Sequence, residues 1–328
     1  MRKVISIGLG LVILVALVAT TGVQPARAAG TVTNCTEAGL LAALAGGGTV
    51  TFACGGPATI TLTATITIAA DTVIDATGQT VTLSGNNAVQ VLSVSSGRTL
   101  TLRNLTIQSG ATPNGGGLAN NGGTVTIVNS NFNGNTATGN GGGIYNNVGT
   151  VTVVNSTFAS NSAVGGGGIF NNGGTVNLAN VTLSGNTATT SGGNGGGVNN
   201  SSGTANVKNT IIAGNAAPGG AANPDVSGNF SSLGYNLIGD GTGSSGFTVT
   251  GDQVGAPSLG TLTGSPAYFP LNAGSLGINA GNPAGCTDFS NAVLTTDQRG
   301  AGFPRPRSGR CDVGAFESQA NAAPVATS

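Results

Sequence analysis

Hydrophobic and polar positions alternate through the centre of the chain, in stretches that recur at a nearly fixed spacing. The three closest copies begin at Thr124, Thr150 and Thr175 and read TVTIVNSNF, TVTVVNSTF and TVNLANVTL. Looser copies occupy residues 99–107 and 204–212. Alternation with period 2, in stretches rich in Val, Ile and Thr, predicts β-strands rather than helices.

The spacing between the copies predicts a solenoid. Each copy is followed by a Gly-Asn or Ser-Asn pair and then by a glycine run that ends in an aliphatic residue. These aliphatic residues are Leu118, Ile144, Ile169 and Val198, which lie 26, 25 and 29 positions apart. A unit of about 25 residues with short strands and Gly/Asn turns is typical of one β-helix coil, whereas a leucine-rich repeat needs more leucine and a propeller blade about 40 residues.

Stacking of such coils predicts two columns of equivalent residues. The first column would fill the interior and consists of Ile107, Phe132, Phe158, Leu183 and Ile212. The second would lie at the bend after the first strand and consists of Asn104, Asn129, Asn155, Asn180 and Asn209. At this bend we expect left-handed backbone angles, with inward amides that bond from coil to coil.

The repeats resemble the right-handed parallel β-helix superfamily. More narrowly, residues 142–144 (Gly-Gly-Ile) and 158–161 (Phe-Ala-Ser-Asn) resemble the repeat of polymorphic outer membrane proteins, and residues 132–135 match its second half. The resemblance covers roughly residues 100–215. It implies an all-β, right-handed parallel β-helix, with a short N-terminal cap and an irregular C-terminal segment, and it implies little about activity.

The N-terminal residues predict export. Arg2 and Lys3 precede an apolar run over residues 5–18, and residues 26–28 read Ala-Arg-Ala, which together predict a signal peptide over residues 1–28. A retained anchor helix is the alternative. Because no second hydrophobic segment follows, we expect no membrane span after cleavage and a location outside the cell or on its surface.

The remaining chain divides into a cap, the coils and a C-terminal region. Residues 29–72 predict the cap and first coils, with a short helix over residues 37–44 at the open end, and residues 73–254 predict the repeats. From about residue 255 the repeat stops and Pro, Arg and Asp reappear. Residues 255–317 form the C-terminal region, and residues 318–328 form a polar tail.

Three motifs in the C-terminal region resemble the choice-of-anchor Q domain. They are residues 297–300 (Asp-Gln-Arg-Gly), residues 305–306 (Arg-Pro) and residues 312–317 (Asp-Val-Gly-Ala-Phe-Glu). That domain follows β-helices in many secreted bacterial proteins, so the resemblance implies a role at a cell surface.

Composition excludes several kinds of chemistry. Among 328 residues there are 10 basic, 10 acidic and no histidine residues, and no charged residue lies between Arg103 and Lys208. Without histidine there is neither a Ser-His-Asp triad nor an imidazole metal site. So few basic residues predict no nucleic-acid partner. We expect no cofactor. Ca²⁺ is the one ion that we expect the scattered carboxylates to be able to bind.

The four cysteines predict two disulfides. Four cysteines permit three pairings, and we favour Cys35–Cys54 with Cys286–Cys311, because the two ends of an elongated fold do not meet. A zinc site is the alternative, although the sequence contains neither a CxxC motif nor a histidine.

Two sets of ionisable residues are candidates for chemistry. If the protein were a polysaccharide-degrading enzyme, either a pectate-lyase-like lyase or a glycoside hydrolase, its acids would come from Asp71, Asp75, Asp225 and Asp240, with Asp252 nearby. Otherwise these residues cap turns. The second set consists of Asp297, Arg299, Arg305, Arg307, Arg310, Asp312 and Glu317. We expect it to pin the final segment across the last coil rather than to catalyse a reaction.

Outward threonines form the candidate binding surface. The predicted ranks contain Thr80, Thr82, Thr99, Thr101, Thr124, Thr126, Thr150, Thr152, Thr175 and Asn177, and continue at Thr204 and Asn206. Such ranks would suit a glycan or another cell surface, and ice is a further alternative. We therefore expect a non-catalytic binding, adhesion or structural role, with the oligomeric state left open.

Overall fold

The computed structural model describes residues 30–190, 195–218, 224–307 and 309–319, so the predicted signal peptide at residues 1–28 lies outside the described residues. The chain forms about seven turns of a parallel β-solenoid, which confirms the predicted all-β parallel β-helix.

The strands are short and follow one another around each coil. In chain order they are β1 (Thr31–Val32), β2 (Gly48–Phe52), β3 (Ala58–Thr61), β4 (Ile66–Ile68), β5 (Thr72–Asp75), β6 (Val81–Ser84), β7 (Leu92–Val94), β8 (Thr99–Arg103), β9 (Leu105–Gln108), β10 (Ala111–Thr112), β11 (Leu118–Asn121), β12 (Thr124–Val128), β13 (Asn131–Asn133), β14 (Thr136–Ala137) and β15 (Ile144–Asn147). They continue with β16 (Thr150–Val154), β17 (Thr157–Ala159), β18 (Ser162–Ala163), β19 (Ile169–Ala179), β20 (Thr182–Ser184), β21 (Thr187–Ala188), β22 (Val198–Lys208), β23 (Ile211–Ile212), β24 (Val226–Asn229), β25 (Ser231–Ser232), β26 (Leu237–Ile238), β27 (Ser244–Ser245), β28 (Gln253–Val254), β29 (Thr263–Gly264) and β30 (Ala267–Tyr268).

Three parallel sheets run along the solenoid. The first has two arms, one through β2, β5, β8, β12 and β16 and the other through β4, β7, β11 and β15, which join at the long strands β19 and β22. The second sheet contains β3, β6, β9, β13, β17, β20, β23, β26 and β28, and the third contains β10, β14, β18 and β21. Outside them, β29 and β30 pair as an antiparallel hairpin.

The predicted interior column is confirmed. Ile107, Phe132, Phe158, Leu183 and Ile212 occupy successive register positions of the second sheet and are fully buried. The rings of Phe132 and Phe158 stack with their centroids 5.0 Å apart. Burial of this continuous aliphatic and aromatic column contributes to the apolar core that stabilises the coils.

The predicted bend column is correct in its backbone and wrong in its amide pairing. All five asparagines have φ between 45° and 56°, as expected for a left-handed bend. Only the Asn209 and Asn180 amides bond each other, at 2.5 Å. Asn155 instead donates to the main-chain oxygen of Thr296 in the C-terminal region, because the bend turns its side chain outward.

Two other asparagine columns form the amide ladders. One consists of Asn120, Asn146, Asn171 and Asn200, with successive Nδ2–Oδ1 distances of 2.9, 2.8 and 2.8 Å. The other consists of Asn135, Asn161, Asn186 and Asn215, with distances of 2.9, 2.8 and 2.8 Å. All eight side chains are buried, so each ladder satisfies polar groups that water does not reach.

The predicted N-terminal helix is confirmed. Helix α1 (Glu37–Leu44) begins after the cap residue Thr36, whose hydroxyl accepts from the Gly39 amide, and it packs on β1 and β2 with Leu40 fully buried. The Glu37 carboxylate accepts from the Thr63 amide at 2.7 Å. Cys35 is joined to Cys54, which ties the helix to the end of β2.

The C-terminal region lies along the flank of the coils, not across the last coil as predicted. Gln298 bonds the Thr157 hydroxyl, and the Ala315 amide donates to the Thr182 hydroxyl. Apolar residues form a second, smaller core between this region and the outside of the second sheet: Ile211, Ala213, Leu237, Leu271 and Val313. Cys286 is joined to Cys311 within the region, so both predicted disulfides are present.

Candidate functional site

The outer side of one arm of the first sheet carries two ranks of hydroxyls and amides in strict register. One rank runs through Thr99, Thr124, Thr150, Thr175 and Thr204, and the other through Thr101, Thr126, Thr152, Asn177 and Asn206. We call these ten residues the Thr/Asn face. All ten side chains are at least partly exposed, because the alternating valines and leucines between them point into the core.

The first two residues predicted for these ranks lie elsewhere. Thr82 belongs to β6 of the second sheet, where it pairs with Thr59 and Thr106, and Thr80 directly precedes that strand. The spacing of the repeats is looser in the first coils, so a Thr-x-Thr match in the sequence did not identify the sheet. The coil below Thr99 and Thr101 instead presents Asp71 and Val73.

Side-chain hydrogen bonds order the upper half of the Thr/Asn face. Asn206 Nδ2 donates to Asn177 Oδ1 at 2.8 Å, and Asn177 Nδ2 donates to Thr152 Oγ1 at 3.2 Å. These bonds fix the amide orientations, so that the face presents a defined pattern of donors and acceptors. The pattern is neutral in its middle coils, whereas Asp71 lies beside Thr99, and Arg103 and Lys208 follow Thr101 and Asn206 by two positions on the same strands.

The other arm of the first sheet carries an outer face that the sequence analysis missed. Tyr145 and Phe170 are register neighbours whose rings stack at 5.8 Å, and Asn172 Nδ2 donates to both the Tyr145 hydroxyl and Asn147 Oδ1 at 3.1 Å. The signal in the sequence was an aromatic residue directly after the aliphatic residue that ends two of the four glycine runs. An aromatic ring edged by amides is amphipathic and suits a ligand that is polar at its rim.

Val148 forms an exposed turn between the two arms. Its φ is 54° and its side chain is 66% exposed, whereas the equivalent turns use Gly122, Gly173 and Gly203 with positive φ. A β-branched residue is rarely found with this backbone conformation. Among these four equivalent turns, Val148 is therefore the strained one. Its apolar side chain projects between the two arms of the first sheet.

The candidate acids of the enzyme alternative bind main-chain groups. Asp71 Oδ1 accepts from the Thr99 amide at 2.9 Å, and Asp75 Oδ1 from the Thr77 amide at 2.8 Å. Asp240 Oδ1 accepts from the Thr242 amide at 2.9 Å, and Asp252 Oδ1 from the Asn236 amide at 3.0 Å. Asp75 and Asp240 each cap the turn two residues on, which matches the turn-capping interpretation, whereas Asp71 and Asp252 bridge to a neighbouring coil.

Asp225 ends the second amide ladder. Its Oδ1 accepts from Nδ2 and the main-chain amide of Asn215, both at 2.8 Å, and its Oδ2 accepts from the Asp240 amide at 2.8 Å. The structure therefore brings Asp225 next to Asp240. Burial raises the pKa of the Asp225 carboxyl above its usual range, and the charge of Asp240 adds to that rise, while the bonds from Asn215 oppose it.

The predicted C-terminal ion cluster is a buried network. Arg305 Nε lies 3.1 Å from Glu317 Oε2, with both side chains fully buried. The same guanidinium donates to Asn155 Oδ1 at 2.9 Å and to the main-chain oxygens of Gly314 and Phe316 at 2.7 and 2.8 Å. Burial raises the pKa of the Glu317 carboxyl, and the charge of Arg305 opposes that rise.

The other members of the cluster also bind within the C-terminal region. Arg299 pairs with Asp297 and lies between the rings of Phe303 and Phe316, at 3.9 and 4.1 Å from their centroids. Asp312 accepts from the amides of Asn279 and Ser318, and Arg310 donates to the carbonyls of Ala280 and Gly281. Arg307 uses only its main-chain amide, which donates to Glu317. These contacts hold the region together internally, whereas its bonds to the coils come from Arg305, Gln298 and Ala315.

No metal-binding group of three or more Cys, Asp or Glu side chains occurs within the described ranges. In those same ranges no helix is long and apolar enough to cross a bilayer. The two disulfides indicate an oxidising environment.

No protein-family model matches the chain, and neither a curated protein nor a solved structure matches it significantly. The described residues offer a hydroxyl and amide face that is uncharged in its middle coils, a stacked Tyr145–Phe170 pair on the adjoining arm, and acids that accept main-chain hydrogen bonds.

Proposed function

We propose that this protein is an exported, surface-exposed β-helix that binds a partner without chemical turnover, and that the Thr/Asn face is the binding surface. The observation that carries the proposal is the register of that face, in which ten hydroxyl or amide side chains of five coils stand in two ranks. A flat array with a spacing of about 4.8 Å suits an extended polymer with a regular pattern of hydroxyls.

The partner that fits this face best is a neutral glycan or a glycan-covered surface. Hydroxyls and amides both donate and accept hydrogen bonds, as sugar hydroxyls require. The partly exposed ring of Tyr145 on the adjoining arm, which stacks on the buried ring of Phe170, offers an apolar surface for the C–H face of a sugar. No charged residue occurs between Arg103 and Lys208, so the middle coils of the face offer no counter-charge to a uronic acid.

The finer family assignments belong to the same proposal. The phenylalanine of the Phe-x-x-Asn repeat fills the core and its asparagine forms the second ladder, which is consistent with a repeat of the polymorphic outer membrane protein type. The Asp-Gln-Arg-Gly and Asp-Val-Gly-Ala-Phe-Glu motifs supply most of the flank network, in keeping with a choice-of-anchor Q type region.

The test measures binding to insoluble neutral polysaccharides, namely cellulose and chitin, by co-sedimentation. We expect the Thr126→Val/Thr152→Val double variant to bind about tenfold more weakly, since two hydrogen bonds of about 0.5–1.5 kcal/mol each are lost. The matched control is Thr82→Val, which removes an exposed hydroxyl from the second sheet and should bind like the parent.

Two results would contradict the proposal. Equal loss of binding in both variants, or no binding to any neutral glycan, would remove the Thr/Asn face as a glycan surface, and inhibition of ice recrystallisation would then favour ice. Release of unsaturated ends from pectin or alginate, lost in Asp75→Ala or Asp240→Ala, would establish the lyase alternative.

A further inference from the structure

Five asparagines stand at the left-handed bend and are here called the bend row (Asn104, Asn129, Asn155, Asn180 and Asn209). The last three serve as docking groups for the C-terminal region. Asn155 Nδ2 donates to the Thr296 carbonyl at 2.9 Å, and Asn209 Nδ2 to the Asp312 carbonyl at 3.0 Å. Asn180 Nδ2 donates to the carbonyl of Thr287 at 3.4 Å. In each case the acceptor is main chain.

The oxygens of the same amides accept from the docked region. Asn155 Oδ1 accepts from the guanidinium of Arg305 at 2.9 Å, and Asn209 Oδ1 from the main-chain amide of Asn282 at 3.3 Å. A side-chain amide presents one carbonyl and one NH₂ group, which is the complement of a peptide unit. The covered part of the bend row thus donates to main-chain carbonyls at all three positions, whereas its oxygens accept from a side chain at Asn155 and from the main chain at Asn209.

The bend row continues beyond the docked region into an open groove of about 610 Å³. The groove lies between the coils and the edge of the C-terminal region and is lined by Asp75, Arg103, Asn104, Asn129, Thr296 and Arg299, among others. Asn104 is already engaged, because its Nδ2 donates to Thr77 Oγ1 at 2.6 Å. Asn129 is the neighbour of Asn155 in the bend row, one coil nearer the N-terminus.

Unsatisfied acceptors cluster at this position. Within the described ranges, three buried side-chain atoms have no hydrogen-bond partner, and two of them are the Oδ1 atoms of Asn129 and Asn131. Asn131 is fully buried. Buried acceptors without a donor are uncommon in folded proteins. Both oxygens are inaccessible from the groove, and Asn131 does not line it, so the docking contact that Asn129 offers there is its Nδ2 group.

The charges of the groove add a second requirement. Arg103 is exposed and forms no ion pair within the described part of the chain, while Arg299 on the opposite wall is neutralised by Asp297. Asp75 is the register partner of Arg103 on the neighbouring strand. A carboxylate on the ligand would therefore find an accessible guanidinium at Arg103.

We propose that the groove beside Asn129 docks an extended peptide of a partner protein, with a main-chain carbonyl on Asn129 Nδ2 and an acidic side chain toward Arg103. The C-terminal region of this chain provides the template, because Asn155, Asn180 and Asn209 each donate Nδ2 to one of its main-chain carbonyls. A neutral glycan would present hydroxyls but neither a main-chain carbonyl nor a carboxylate. The site adjoins the Thr/Asn face, since Arg103 follows Thr101 by two positions on β8, but it uses none of the ten residues of that face.

The experiment selects linear random peptides of about ten residues, long enough to span roughly 33 Å when extended, on the folded full chain. Binding of the selected peptides is then measured by fluorescence anisotropy. We expect Asn129→Gly, which keeps the left-handed bend and removes the amide, to weaken binding at least about fivefold. Arg103→Gln should have a similar effect and should abolish any preference for acidic peptides.

The matched control is Asn87→Gly, at an exposed asparagine with φ of 56° outside the groove, which should leave peptide binding unchanged. Thermal unfolding of each variant separates loss of binding from loss of fold. The proposal is wrong if no peptide is selected, if the selected peptides bind equally to the Asn129→Gly and Arg103→Gln variants, or if a neutral oligosaccharide displaces them competitively.

Discussion

Residues 104–207 of the coils contain no charged side chain, whereas residues 286–317 of the C-terminal region contain eight. The coils bury neutral amides that bond to copies of themselves, as in Asn135, Asn161 and Asn186. The C-terminal region buries unlike charges that bond to each other, as in Arg305 and Glu317. Both regions satisfy their buried polar groups, the coils with hydrogen bonds between identical neutral amides and the C-terminal region with pairs of opposite charges.

Repetition explains the difference. In a parallel solenoid every side chain has its own kind as a neighbour about 4.8 Å away, and two like charges at that distance repel by about 3.5 kcal/mol at an effective dielectric constant of 20. An asparagine carries a donor and an acceptor, so it can stack on itself without limit. A segment that occurs once is free of this constraint and can use complementary ions.

The comparison predicts that the largest single loss of stability comes from the ions. Arg305→Met should lower the free energy of unfolding by about 3–5 kcal/mol, because it leaves Glu317 buried without its counter-charge. Urea unfolding followed by circular dichroism measures the change. Arg307→Met, at an exposed side chain of the same region, should stay within about 0.5 kcal/mol of the parent.

A companion variant sharpens this prediction. Adding Glu317→Gln to Arg305→Met removes the orphaned charge and should restore part of the lost stability. If the single and double variants unfold alike, the loss reflects packing rather than charge, and the contrast between the two regions does not hold.

The contrast between repeated coils and a segment that occurs once also explains how well the sequence predicts each region. The interior column was predictable because a repeated Phe or Ile at a period-2 position has one buried solution. The ladders were missed because the chain offers four asparagine columns at similar spacing, and only the backbone decides which side chains point inward. Asn104 and its equivalents stand at a left-handed bend, which turns the amide out of the core.

The sequence contains a feature that indicates where the C-terminal region packs. Outward positions of the second sheet are Thr106, Asn131, Thr157 and Thr182 in the middle coils, and become Ile211 and Leu237 in the later coils. An apolar residue at an outward position indicates a covering element on the flank. The direction of the Thr/Asn face was predictable, but its partner is not encoded in any repeated pattern.

A ladder amide should matter less than the buried arginine. Asn161→Leu should lower the free energy of unfolding by about 2–3 kcal/mol, because Nδ2 of Asn135 loses its acceptor and the Phe132 carbonyl loses its donor. Asn147→Leu, on the exposed side of β15, is the matched control and should change stability by less than about 0.5 kcal/mol. Equal effects at the two positions would mean that the ladder contributes no more than a surface hydrogen bond.

The one turn that departs from the repeat should gain stability when the repeat is restored. Val148→Gly should raise the free energy of unfolding by about 1 kcal/mol, since glycine adopts the left-handed conformation of its neighbours Gly122 and Gly173 without strain. Val148→Ala keeps a Cβ and should gain less. A loss of stability in Val148→Gly would show that the exposed valine makes a stabilising contact.

The smallest effect is a change in pH dependence, at the one place where a charge enters a ladder. Burial raises the folded-state pKa of Asp225 above the usual range of an aspartate, so the folded protein binds a proton more tightly there than the unfolded chain does. The contribution of Asp225 to stability is therefore greatest below its unfolded pKa and is lost as the pH rises through the folded pKa.

Asp225→Asn removes this dependence, whereas Glu317, whose pKa is also raised, is common to both proteins. We expect the stability of the parent relative to Asp225→Asn to fall as the pH rises from about 3 to 7, measured by urea unfolding at each pH. A difference that is constant over this range would mean that the bonds from Asn215 fully compensate the burial of the carboxylate.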